Sequence, residues 1–284
     1  LTRNVSVGHR SGPGEPSESA VRFGLVELDL LATYAGAALP YPLRVPSFGR
    51  VPGERDVLFA VAGATMGERG LADEDGPIGP GDDLAAALTA RRGSVHMVLT
   101  GPGDPVGIAA IIEHDQALLC RQTLSDAVTE LVEVRPVALD GLADALVALI
   151  PPLPGAKTLP VRIPTAAARL LLRSLAGNNG GSNDRLYQIA DRYGCSLDDL
   201  DALVQAAKTV TGGGQLGASV MSEQGKEVRA GTELSWMDGP GWRLRVTVEP
   251  GDEPGWVSVN PLHPNDVRSA AVDLVALVRR HRRR

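Results

Sequence analysis

Residues 95–114 read VHMVLTGPGDPVGIAAIIEH. Val95, Met97 and Leu99 alternate with His96, Val98 and Thr100, the period of two that sends successive side chains to opposite faces of a strand. Gly101-Pro102-Gly103-Asp104-Pro105 is turn chemistry, and Val106 to His114 is a nearly continuous apolar run, so the segment predicts a hairpin. Leu118 to Gln122 and Val128 to Val134, joined through Ser125-Asp126, extend it to about four antiparallel strands.

Upstream of the hairpin, Phe23, Leu25, Val26, Leu28, Leu30 and Leu31 give a strand-then-helix pattern closed by Pro40 and Pro42, followed by an extended Leu43-Arg44-Val45. A helix is predicted over about Glu54 to Arg69, where Val57, Ala60, Val61, Ala64 and Thr65 keep a 3.6-residue stripe and Gly70 ends it. Asp73 to Pro80 is an acidic, Gly/Pro-rich turn. A second helix runs from about Asp82 to Arg91, with Asp82-Asp83 and Arg91-Arg92 placed to suit its dipole.

Downstream, a helix beginning near Val137 puts Leu139, Leu142, Leu146 and Leu149 on one face before Pro151-Pro152 stops it. Pro151 to Pro164 carries five prolines and reads as a linker. The order of elements then returns: a helix over Thr165 to Leu175, a Gly177–Gly181 loop, a helix from Ser182 or Asn183 to Arg192, and one capped by Ser196 with Asp199 that runs to about Val210. Four strands follow, at about Gln215–Glu223, Glu227–Trp236, Trp242–Glu249 and Gly255–Pro261. In the third, Trp242, Leu244, Val246 and Val248 face one way and Arg243, Arg245, Thr247 and Glu249 the other, one face buried and the other wet or facing a partner. A closing helix from about Pro264 aligns Val267, Ala270, Ala271, Leu274 and Val278. Leu146-Val147-Ala148-Leu149 recurs as Leu274-Val275-Ala276-Leu277, and Pro136 and Pro264 each stand ten residues upstream. The expected fold is α+β: a disordered leader over 1–19, an N-terminal half over 20–150, the linker over 151–164, and a C-terminal half over 165–284, packed as one body.

The composition fits a soluble globular chain: 284 residues, 43% hydrophobic, 22% charged, net charge −6. The acidic balance argues against nucleic acid, since the basic cluster Arg279-Arg280-His281-Arg282-Arg283-Arg284 suits a helix end. No apolar run approaches the roughly 20 residues of a membrane span. Two distant cysteines and no secretory h-region place the chain in the cytoplasm.

Catalytic constellations are absent from the pattern. Glu113-His114-Asp115 is the one compact group resembling metal ligands, but adjacent residues point apart, so it reads as an exposed turn. His96 and His263 are isolated and read as structural, and Cys120 and Cys195 as buried thiols without an activating partner. Gly101–Gly107 has the wrong spacing for a dinucleotide loop and leads into a strand, and Gly212-Gly213-Gly214 reads as a turn. No catalytic, metal or cofactor residue is expected. The helices carrying Leu186, Ile189, Leu197, Leu200, Leu203 and Val204 are either plain core or a groove for a partner helix.

Three segments carry a family resemblance: Val26-Glu27-Leu28-Asp29-Leu30-Leu31-Ala32, then Leu39-Pro40-Tyr41-Pro42-Leu43-Arg44-Val45-Pro46, then Glu54-Arg55 with Ala60, Ala64 and Arg69-Gly70-Leu71. With the later strand at Gly241 to Val248 and the closing helix, the chain resembles the EspG family, cytosolic chaperones of the type VII (ESX) secretion systems of actinobacteria, over about Ala20 to Arg280. Three lysines against 25 arginines is the usage of a GC-rich genome, consistent with such a source. The resemblance implies two quasi-symmetric halves sharing a central antiparallel sheet. It implies a chaperone, not an enzyme, that covers the apolar tip of a secreted helical pair of the PE–PPE kind. By the family's pattern the contacts fall on the turn (Gly101, Gly103, Asp104), the later helices (Leu186, Leu197, Leu200, Val204) and the strand from Gln215 (Gly217, Ser219, Met221, Glu223). If Met221 lies on that surface, Met221→Arg should abolish binding with little change in stability. The leader and the Asp73-Glu74-Asp75 loop stand outside the motif. The reading leaves room for a weak homodimer, and the alternative is an α+β enzyme or small-molecule-binding protein, which a cavity lined by His96, His114 and Cys120 would favour.

Overall fold

Ten strands pair antiparallel throughout a single sheet, in the order β1-β5-β4-β3-β2-β7-β8-β9-β10-β6. The computed structural model describes residues 20–46, 48–49, 51, 53–125, 131–157, 160–176, 183–249 and 255–281. The leader, the Asp126 side of the Ser125-Asp126 junction, the Gly177–Gly181 loop and Arg282–Arg284 lie outside the described residues.

The first half contributes β1 (Val21–Gly24), α1 (Leu25–Tyr34), α2 (Glu54–Glu68), α3 (Pro80–Ala90), β2 (Gly93–Thr100), β3 (Val106–Glu113), β4 (Gln116–Thr123), β5 (Leu131–Ala138) and α4 (Leu142–Val147). The second contributes β6 (Val161–Pro164), α5 (Thr165–Ala176), α6 (Asn183–Tyr193), α7 (Leu197–Thr209), β7 (Gly212–Met221), β8 (Glu227–Gly239), β9 (Trp242–Glu249), β10 (Trp256–Pro261) and α8 (Pro264–Arg280). Each half therefore runs strand, three helices, four strands, helix, and the halves join where β2 pairs with β7. Read outward from that seam, 2-3-4-5-1 on one side matches 7-8-9-10-6 on the other.

One face of the sheet is packed by α4 and α8. Val95, Met97, Leu216, Ala218, Leu234 and Trp236 meet Leu142, Leu146, Leu274 and Val278 there. On the other face, α1 and α3 cover the outer strands of the first half through Phe23, Leu28, Leu84, Ile111 and Val132. There α5, α6 and α7 cover the outer strands of the second half through Ile163, Leu171, Ile189, Leu200 and Leu244.

Several expectations change. The end of the stretch read as a linker is the edge strand β6, in which Val161 and Ile163 are buried and pair with Val259 and Val257. Pro160 and Pro164 are tolerated there because an edge strand leaves one side of its ladder unpaired. Its counterpart β1 occupies the opposite edge. Gly212-Gly213-Gly214 is not a turn but the start of β7. The lack of side chains lets neighbours close in: a Cβ at Gly213 would stand 2.4 Å from the Trp236 carbonyl, and one at Gly214 2.4 Å from the Trp236 ring. The helix expected from Val137 starts later. β5 continues to Ala138, and a 3₁₀ turn at Leu139–Gly141 leads into α4. On β9, Arg243 is buried against expectation, because the Asp238 carboxylate accepts from its Nε at 2.6 Å and its Nη2 at 2.9 Å, and the Pro151 carbonyl from Nη2 at 3.1 Å. Val248, expected inside, is exposed.

The side that α2 buries is not the side its stripe marks. Its bounds match expectation, but Val57, Ala60, Val61, Ala64 and Thr65 all face solvent, and the helix is seated through Ala62 and Met66. The orientation of α2 follows from its partner α1: Arg55 reaches Asp29 at 2.8 Å near one end and Arg69 reaches Glu27 at 3.0 Å just past the other, so the pair lies antiparallel.

Candidate functional site: the open centre of the sheet

β2, β7 and β8 have α8 on one face. On the opposite face they lie between the two helix layers. The side chains there follow from register: Ser94 stands opposite Ser219, His96 opposite Gly217, Val98 opposite Gln215, and Thr100 opposite Gly213, with Ser235 beside Gln215. None of Val98, Thr100, Gln215, Gly217, Ser219 and Ser235 belongs to a hydrophobic cluster of the described residues.

Along the strands this strip changes character. At the end near Met221 it is sealed by a polar knot. Ser94 Oγ is 3.1 Å from Ser219 Oγ and donates to Glu227 Oε1 at 3.0 Å, Ser219 also hydrogen-bonds Glu227, and the Arg91 guanidinium lies 3.7 Å from Glu227. His96 comes next, with its ring across Gly217, where a Cβ would stand 2.7 Å from Nε2, and with the Tyr41 ring edge-on at 5.1 Å. Its Nδ1 is buried with no hydrogen-bond partner among the described residues. Burial pushes the imidazole below its ordinary value of 6.5, against the opposing pull of the Glu233 and Glu227 carboxylates.

Beyond His96 the strip opens. Val98 and Ser235 are half-buried, Thr100 and Gln215 are exposed, and on β9 the same face continues through Val246 to Val248, 60% exposed. The strip ends at the Gly101–Asp104 turn, whose residues are exposed and which lies against the start of β7 at Gly212. On the flank, α5 and α6 present Leu172 and Tyr187 to solvent, at 63% and 59% exposure. The result is a partly apolar sheet floor with a projecting hairpin turn at one end and a helical wall at one side. Such a surface is suited to another protein's apolar tip and holds no nucleophile–base pair.

The residues singled out from the sequence do not all meet there. Gly101, Gly103 and Asp104 border the open strip. Gly217 and Ser219 lie on the face of this strip but are buried, beneath His96 and inside the polar knot. Met221 is also buried, 7% exposed, with His281 Nε2 at 2.7 Å from its carbonyl oxygen. It and exposed Glu223 belong to the far end of β7, on the order of 30 Å from the turn at about 3.4 Å per residue. The expectation that Met221→Arg leaves stability nearly unchanged is therefore reversed. Leu186, Leu200 and Val204 are core beneath the helical wall, and Leu197 is half-buried against them. Val98, Gln215, Ser235, Val246 and Val248 were missed as a group. Period-two alternation places each on a strand face, but only the strand order shows which face a helix leaves open.

The features that would favour a catalytic cavity do not converge. His114 sits at positive φ on the β3–β4 turn with its side chain 74% exposed. Cys120 is buried under the first helix layer, with its thiol pushed up to about 12 by desolvation. Clefts of about 440 Å³ (along Asp29–Val45) and 120 Å³ (between Asp83 and Pro136) contain neither of these residues nor His96. Cys195, half-buried, is also raised by desolvation. Among the described residues no cluster of His, Cys, Asp and Glu could hold a metal ion, and no helix is long and apolar enough to cross a membrane.

Comparison with known proteins agrees with this architecture. The model of the EspG family matches residues 25–272. Among solved structures, the chain is similar to the Mycobacterium tuberculosis type VII secretion system chaperone EspG5, determined in complex with a PE25–PPE41 dimer. The TM-score is 0.63 at 15% identity, covering 93% of this chain and 98% of that one. No curated protein matches the chain in sequence.

Proposed function

The chain belongs to the EspG family, and from that premise we propose that it is a cytoplasmic, non-enzymatic chaperone of type VII secretion. It binds the apolar tip of a secreted helical pair of the PE–PPE kind. The observation that carries this reading is the sheet centre left uncovered between two helix layers, partly apolar and bordered by the Gly101–Asp104 turn and the α5–α7 wall. A secreted helical pair waiting in the cytoplasm with an apolar tip is prone to aggregate, and covering it needs a complementary surface rather than a reactive group. The similar fold of EspG5, whose structure holds a PE–PPE dimer, supports the class of client. Contacts centre on Val98, Gln215, Ser235 and Val248 with Gly101, Gly103 and Asp104, while Leu186, Leu200, Val204, Gly217 and Ser219 hold the surface in place.

Co-expression with PE–PPE-like pairs encoded beside this chain, followed by size-exclusion chromatography, tests the proposal. A soluble complex is expected that is lost in Val98→Arg and weakened in Val248→Asp, with both variants folded by circular dichroism. Retention of full binding in both variants would move the client off this face, and a failure of every neighbouring pair to co-elute would sink the chaperone reading.

A further inference from the structure

The segment from Pro40 to Leu43 carries one exposed aromatic ring among buried neighbours. Pro40, Pro42 and Leu43 are buried, and the Leu43 amide donates to the Pro40 carbonyl at 3.0 Å, closing a turn whose Tyr41 is 46% exposed. The turn is fastened to the sheet at two points. Register places Gly107 of β3 and Gln122 of β4 in one row with Val98, on the face that carries His96. Gly107 has no side chain to hold Pro42 off, and a Cβ there would stand 3.0 Å from the Pro42 ring. The buried Gln122 side chain accepts from the Arg44 amide at 2.8 Å and donates to the Arg44 carbonyl at 2.7 Å, satisfying that backbone as a neighbouring strand would. Held in this way, Tyr41 stands edge-on to His96 on the β3 side of the open strip, across the sheet from the α5–α7 wall.

We propose that Tyr41 is an aromatic anchor for the client: the Pro40–Leu43 turn forms the second wall of the binding surface, and its ring takes an apolar side chain from the tip of the helical pair. This rests on the client-binding reading and extends that surface from β2 toward β3. A lone exposed tyrosine is ordinary on a protein surface. This one differs in position and in rigidity. It touches His96, and the next residue of β2 on the same face is the half-buried Val98 of the uncovered floor. The turn is also fixed before any partner arrives, by Pro42 on Gly107 and by the paired hydrogen bonds of Gln122 with Arg44. A tyrosine has only two side-chain torsions to order, and a ring presented on a rigid backbone loses little freedom when it is covered. Buried tyrosines are accordingly over-represented among the few residues that carry most of an interface's binding energy. The stretch from Leu39 to Leu43 holds no charge, which matches an apolar tip and would not match an acidic or basic one. Leu43 and Leu39 already seat the segment in the core of the first half, so the exposed ring between them is not needed to hold the turn down.

Isothermal titration of the full chain with a PE–PPE-like pair encoded beside it tests the anchor, with Val98→Arg reporting on the surface as a whole. Tyr41→Ala should raise the dissociation constant at least about tenfold, and Tyr41→Phe should bind nearly as the parent chain does. On irradiation, p-benzoylphenylalanine in place of Tyr41 should cross-link to the client, and in place of Tyr34, 60% exposed on α1, it should not. The cross-link reads contact directly, which a ring that only shields His96 would not give. Binding lost in Val98→Arg but unchanged in Tyr41→Ala overturns the anchor and leaves the surface standing. Weaker binding by Tyr41→Ala without a cross-link at position 41 also overturns it, as does a cross-link to a second copy or within the same chain. Full binding by Val98→Arg removes the client-binding surface itself, and the anchor with it.

Discussion

α8 and α2 carry apolar stripes that look alike in the sequence. On α8, Val267, Ala271, Leu274 and Val278 are buried against the sheet and α4. On α2 the equivalent stripe faces water, and the helix is seated by two other residues, Ala62 and Met66. The difference lies in what surrounds each helix. α8 spans the seam, touching β2, β7 and β8, so it has one possible inner side and a polar outer one with Arg268, Asp273 and Arg279. α2 leans on α1 rather than on the sheet, and two charged pairs, Arg55 with Asp29 and Arg69 with Glu27, set its rotation. An apolar period thus identifies a helix with confidence of type but says which side is inward only when the opposite side is polar.

The sharpest way to break that comparison is to truncate both stripes. Leu274→Ala should cost about 2–5 kcal/mol by chemical denaturation, whereas Val57→Ala should stay within about 0.5 kcal/mol. Equal losses would mean that α2 is seated on that stripe. Next in size, Met221→Arg should cost roughly 2–3 kcal/mol by burying an unpaired charge at the end of β7. A melting temperature equal to that of the parent protein would restore Met221 to the surface.

The smallest effect concerns His96. Its folded-state value lies below the 6.5 of the unfolded chain, chiefly through desolvation. The unfolded state therefore binds the proton more readily, and stability declines as pH falls below 6.5 until the lowered folded value is reached, levelling off beyond it. His96→Gln should remove that part of the pH dependence. An identical stability-versus-pH curve for the variant would show that the ring titrates freely.

Much of the fold was legible because its signals are local. The hairpin around Gly101–Asp104, the strand β9, the Ser196 cap on Asp199 and the closing helix all follow from period, turn chemistry and capping within a few residues. β6 was not legible, because three residues between prolines become part of a strand only when β10 offers its edge. Gly212-Gly213-Gly214 was misread for a related reason: glycine marks a turn and a close approach of neighbouring backbone equally well, and only the positions of Thr100 and Trp236 distinguish them. For the candidate site, the sequence reading names the bordering turn and few residues of the floor. Gly217 and Ser219 lie on the same face as His96 and Val98, but burial of that face varies along the strand with what His96, Glu227 and Arg91 place over it.

By itself the sequence determined the class of fold, the repeat of its two halves and the family resemblance, since these rest on periodicity, spacing and residue type along the chain. Tertiary structure alone decided that the halves join through β2 and β7 and that, among the described residues, no helix covers one face of the sheet centre. It also decided that the stripe of α2 points outward and that Arg243 is buried on Asp238. Each of these depends on which distant segment arrives beside a residue, and a pattern of side chains along one strand or helix carries no record of its neighbour across space.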